Sequence, residues 1–123
     1  MAVKISGQIK FAGGEPESFP SGSFMTVKCE DTSLMDVAAV LLKHCTIDVS
    51  DYKKGKPLTY EMQVDPPADP RPEITMSCVI NVGWKAQGHE WIRRGDYLND
   101  TSHPIQFHAT DPVIRHIEVI HYK

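Results

Sequence analysis

The chain has 123 residues, 41% hydrophobic and 24% charged, with a formal net charge of -3. That length suffices to bury a real core within one domain, residues 1–123, and that composition excludes a disordered chain. The small negative charge excludes a general attraction to nucleic acid or to anionic membrane, so partners are selected by local surface.

Val3, Ile5, Ile9 and Phe11 share one face of a first strand. Next, Met25, Val27 and Cys29 alternate with Thr26, Lys28 and Glu30, the period of a half-buried strand. A polar link, Asp31 to Ala39, carries helix-favouring Ala, Met and Leu with Asp or Ser as caps. Apolar residues run straight on into Val40, Leu41 and Leu42, however, and a long helix would leave the sheet edge uncovered, so the expectation is a single turn at most. Leu41, Cys45, Ile47 and Val49 then alternate mostly with His44, Thr46 and Asp48, while Lys43 falls on the apolar side and predicts a bulge or an open strand start.

Leu58, Tyr60, Met62 and Val64 form one face of a further strand, and Ile74, Met76, Cys78, Ile80 and Val82 one face of another. Between them the proline-rich stretch from Asp65 to Pro72 cannot enter a sheet interior and predicts a stiff loop. Gln87-Gly88 invites a hairpin turn before a strand near His89 to Arg93, and a second extended piece is expected near Ile105 to Ala109. From Val113 to Tyr122 apolar residues fall on both faces, as in a strand that is central or covered on both sides. About seven or eight short strands separated by proline and glycine turns point to an antiparallel two-sheet β-sandwich with a Greek-key return.

The link reads D-T/V-S-L-x-D-x-x-A between two strands, PLTYEMQVDPPADPRPEITMSCVINVGW follows at 57–84, and LNDTSHPI at 98–105. These motifs, in this order from Ile5 to about Ile105, resemble the bacterial YbaY and YscW family, the lipoprotein-type domain that includes type III secretion pilotins. The resemblance implies the same all-β architecture, a role in binding a partner protein, and no catalytic residues to carry over; the Asp-Thr of the last motif is structural in that family. Its members are exported and many carry a lipid-modified cysteine. The start of this chain, MAVKISGQIKF, lacks the apolar core of a secretory signal, and no run approaches the roughly 18 apolar residues of a membrane-spanning helix. The expected location is therefore cytoplasmic, or extracellular where a native signal peptide precedes this sequence.

Several constellations suggest chemistry. Cys29, Cys45 and Cys78 all fall in apolar strand phase, the setting of free core thiols; a Cys29 to Cys78 bridge across two sheets is the alternative. His44 and Cys45 are neighbours on a strand and point to opposite faces, so they cannot act as base and nucleophile together. His103, His108, His116 and His121, with Asp100 or Asp111, suggest an imidazole and carboxylate metal site, but His116 and His121 are five apart and face opposite sides. No metal and no cofactor are expected. Arg94-Gly95-Asp96 matches an integrin-binding adhesion tripeptide, and Asn99-Asp100-Thr101 a glycosylation pattern; the plainer readings are a solvated turn and a structural element.

Trp84 and Trp91 could pair across the Gln87-Gly88 hairpin as a binding platform, or close one end of the core. The stretch from Trp84 to Asp100 concentrates the residue types of interface anchors, and Trp91, Arg93, Arg94 and Tyr97 are the candidate binding residues. The reading is a non-catalytic protein-binding module, chaperone- or adaptor-like, whose partner is a protein and not nucleic acid; a homo-oligomer stays open. The runner-up is a secreted adhesion or glycan-binding domain, and the third reading a thiol or metal-dependent hydrolase.

Overall fold

The computed structural model describes residues 2–32, 39–67, 73–107 and 111–123. In chain order the strands are β1 (Val3–Phe11), β2 (Phe24–Asp31), β3 (Val40–Asp48), β4 (Leu58–Val64), β5 (Ile74–Asn81), β6 (Tyr97–Leu98), β7 (His103–Ile105), β8 (Val113–Ile114) and β9 (Ile117–His121). In β2, β4 and β5 each apolar phase turns inward as its alternation requires: Met25, Val27 and Cys29, then Leu58 to Val64, then Ile74 to Ile80 are buried at every second position. The polar link at 33–38, most of the proline loop at 68–72 and the end of the expected extended piece, with His108, lie outside the described residues.

The strands form one continuous sheet in the order β3-β2-β5-β6-β9-β1-β4, with β7 added to β5 and β8 to β1. This overturns the two-sheet sandwich. The deciding element is β9, which pairs antiparallel with β6 (Tyr97↔His121) on one side and parallel with β1 (Ile9↔Ile117) on the other. The two halves are thereby stitched into one sheet, which rolls until its end strands β3 and β4 lie against each other as a nearly closed barrel. The expectation of an all-antiparallel Greek key fails with it, since β8 and β9 both run parallel to β1. A sandwich and a rolled sheet share one inward face per strand, so alternation alone does not distinguish them.

The bulge predicted from Lys43 is present. Cys29 faces Lys43 while Glu30 faces Leu41, leaving Leu42 as the extra residue on β3. It is Leu42 that packs against the core, and Leu41, expected inside, is 47% exposed. The C-terminal stretch is central as expected, but it breaks between β8 and β9 at Arg115 and His116, and Ile114 stays exposed. The break crosses β1 at Gly7. The Arg115 carbonyl accepts the Tyr60 hydroxyl at 2.5 Å and lies 2.1 Å from where a Cβ on Gly7 would be. Only glycine admits that approach.

No strand forms over His89 to Arg93; Gln87 and Glu90 make a single bridge around Gly88, whose φ of 63° suits a tight turn. Phe19 and Tyr52, both from loops, fill one end of the barrel with Phe11 and Tyr97.

Candidate functional site

The segment joining β5 to β6, residues 82–96, is held by Asp96. Its carboxylate is 1% exposed and accepts the Val82 and Arg93 backbone N–H groups at 2.8 Å each, the Asn81 amide at 3.1 Å, and the Trp84 indole N–H. Asn81 also donates to the Trp91 carbonyl at 3.0 Å. These side chains take the backbone groups that a ladder would have used, which explains the missing strand at 89–93. The loop is closed from behind by the last residues, Gly95 donating to the Tyr122 carbonyl and Tyr122 to the Asp96 carbonyl, both at 2.7 Å.

Arg-Gly-Asp thus fails as an adhesion signal, because its carboxylate is consumed inside the fold. Of the candidate binding residues, Trp91, Arg93 and Arg94 stand exposed on this loop. The Arg93 guanidinium lies 4.0 Å from the Trp84 ring centre and makes a two-pronged ion pair with Glu90 at 2.8 Å. Tyr97 points the other way: its ring meets Phe11 edge-on at 5.2 Å and stacks on His121 at 4.9 Å. The two tryptophans have separate jobs, Trp84 being tied to Asp96 and Trp91 being 53% exposed.

Beneath Trp91 the loop overhangs the outer face of β3, β2, β5 and β6 and leaves a groove of about 790 Å³. Its floor is the polar phase of those strands: Thr26 and Thr46, whose hydroxyls are 3.3 Å apart, the cross-strand pair Lys28 and His44, and Glu30. Val79 and Leu98, paired in register, supply an apolar strip beside Trp91. The sequence pattern assigned the outward phase of β2 and β3 no role, so this groove was not anticipated; a signal was there in Val79, an apolar residue in polar phase.

The remaining constellations are accounted for structurally. Cys29, Cys45 and Cys78 are free thiols, with Cys29 and Cys78 diagonal neighbours on the adjacent strands β2 and β5 and not opposed across two sheets. Burial, helped by Glu30, pushes the Cys29 thiol up to about 12, and burial raises Cys78 and Cys45 too, the reverse of what a nucleophilic thiolate needs. Asn99 is committed through its side chain to the Cys78 N–H at 2.9 Å and the Thr101 carbonyl at 3.0 Å. Among the described residues no three of His, Cys, Asp and Glu come together as a metal site would require, and no helix is long and apolar enough to cross a membrane.

Residues 1–89 match the family model described as "Type III secretion system lipoprotein chaperone (YscW)". No curated protein matches the chain. A solved structure described as an alternative pilotin from the type II secretion system of Vibrio cholerae is similar, with a TM-score of 0.69 and 18% identity over 98% of this chain and 99% of that one. At that identity the likeness speaks for the fold. The family match corrects the cytoplasmic expectation: a lipoprotein chaperone belongs to the periplasmic or secreted side, and the lack of an apolar leader at residues 1–11 does not weigh against it. Matched over most of its length, the chain belongs to the YscW family of type III secretion system lipoprotein chaperones, a non-catalytic family of protein-binding modules.

Proposed function

We propose that this chain, acting as one domain, is a pilotin-like chaperone that holds a single secretion-system protein against the groove under Trp91. The observation that carries the reading is the exposure of Trp91 on a loop that Asp96 holds rigid, above a mixed polar and apolar floor. An aromatic anchor presented on a preordered loop loses little conformational freedom on binding. Arg94, exposed beside it, and Arg93, half-neutralised by Glu90, provide the charged rim. Tyr97 supports the loop from inside and makes no part of this surface. The Vibrio cholerae neighbour, described as a pilotin, supports a partner among secretion proteins. Of the runner-up reading the exported location survives, while its adhesion tripeptide does not.

The test is affinity capture from the native cell envelope followed by identification of the captured protein. Trp91→Ala and Arg94→Ala should keep the parent melting temperature and lose most of the partner. Capture of only further copies of this chain, or undiminished capture by both variants, would set the groove aside.

A further inference from the structure

A second concavity, of about 330 Å³, lies on the other side of the barrel, where the break between β8 and β9 passes the end of β1 and the residues before β7. Lys10, Thr101, Ser102, Arg115 and His116 reach it from three separate parts of the chain, with His103 at its floor.

Backbone amides fix which ring nitrogen accepts in both histidines. His103 Nε2 accepts the Glu118 N–H at 3.0 Å, and His116 Nδ1 accepts the Gln8 N–H at 2.9 Å. A neutral imidazole that accepts through one nitrogen carries its proton on the other, so His103 offers Nδ1–H and His116 offers Nε2–H. Neither of those nitrogens has a lone pair free for a metal. The concavity is a site of donors.

Two of these donors are unmatched. His103 Nδ1 and Arg115 Nε are buried with no acceptor among the described residues. The Thr101 carbonyl lies near enough to the His103 ring to favour its protonated form, without the geometry of a full hydrogen bond. Folded proteins leave few buried donors without a well-formed partner, and two such donors beside a basic pocket call for an acceptor. Lys10 and Arg115 bring two positive charges; Glu118, opposite Lys10 in the β1–β9 register, offsets one of them. The balance suits a singly charged ligand with several acceptor oxygens facing different ways.

We propose that this concavity binds a phosphate group, held by Lys10, Arg115 and the free N–H groups of His103 and His116, with the Thr101 and Ser102 hydroxyls as further donors. A planar carboxylate would use fewer of these directions. Arg115 is partly buried and lines the concavity with its guanidinium end. The ligand is either free phosphate or the headgroup of an anionic phospholipid.

The experiment titrates the ¹⁵N-labelled full chain with sodium phosphate at neutral pH, with sodium chloride making up constant ionic strength. The Glu118 and Gln8 amides, whose N–H groups bond the two rings, should shift saturably with phosphate. Lys10→Gln, at an exposed position of β1, should fold as the parent and bind roughly tenfold more weakly, as should Arg115→Gln. In parallel, vesicles of phosphatidylglycerol mixed with phosphatidylcholine are compared with phosphatidylcholine alone. Capture by the anionic vesicles that is lost in both variants assigns the headgroup, and saturable phosphate binding without capture assigns the free ion. A response no different from that to chloride with no vesicle capture overturns the site, as does binding that survives both variants.

Discussion

The indole N–H of Trp84 is shared between the two carboxylate oxygens of Asp96, at 3.1 and 3.0 Å. Because the same carboxylate also takes two backbone N–H groups and the Asn81 amide, one side chain sets the shape of the whole loop that presents Trp91.

Asp96→Ala strands four buried or half-buried donors, at roughly 1–3 kcal/mol each before relaxation, so a loss of about 3 kcal/mol or more is expected. Asp96→Asn keeps one acceptor oxygen and should cost less. Urea unfolding of the two variants checks the order; equal stabilities would mean that the carboxylate does not organise the loop.

Gly7→Ala drives a methyl group into the Arg115 carbonyl and must break its bond from Tyr60 or bend β1, an overpacking cost of roughly 1–3 kcal/mol. The control is Gly13→Ala, where nothing lies within 4 Å. It should melt like the parent. A Gly7→Ala protein as stable as the control would show that the crossing of β1 is looser than described.

A thiol probe should modify Cys45 first, since it is partly exposed and a backbone hydrogen bond from Val27 opposes the upward push of burial on its thiol. Cys29 and Cys78 should react only once denaturant is added. Mass spectrometry of the labelled sites gives the order directly, and fast native labelling of Cys78 would remove β5 from the core.

Stability should fall in acid through His103. Burial, and then the nearby Arg115, hold its folded-state basicity below the ordinary value of 6.5, outweighing Thr101, Glu118 and Asp100, which act the other way. In the unfolded chain it binds its proton more readily, so the contribution is complete above pH 6.5 and is lost as the pH falls through the lower folded value. His103→Gln can keep an acceptor toward Glu118 without titrating. Melting temperatures measured across this range should therefore fall less in the variant; parallel curves would clear His103 of the effect.

Much of the barrel was legible in its strands. The inward phases of β2, β4 and β5 follow from alternation, and the misplaced Lys43 located the bulge within one residue of Leu42. What alternation leaves undetermined is how the strands join, and the joining depends on β9 pairing on both edges, a relationship between residues more than 100 positions apart in sequence, Ile9 and Ile117. The aromatic end of the core was missed because Phe19 and Tyr52 come from loops, where no period marks them. In the loop of the candidate site, the burial of Asp96 was not legible, since an Asp beside two arginines reads as surface until Val82, Arg93 and Trp84 converge on it.

The position of β9 also sets when the molecule can be completed. Synthesis delivers the chain from its N-terminal end, and until Ile117 to His121 arrive, the antiparallel pair β1–β4 and the β3-β2-β5 array share no hydrogen-bonded strand. The ladder that joins the two halves of the barrel therefore waits on β9.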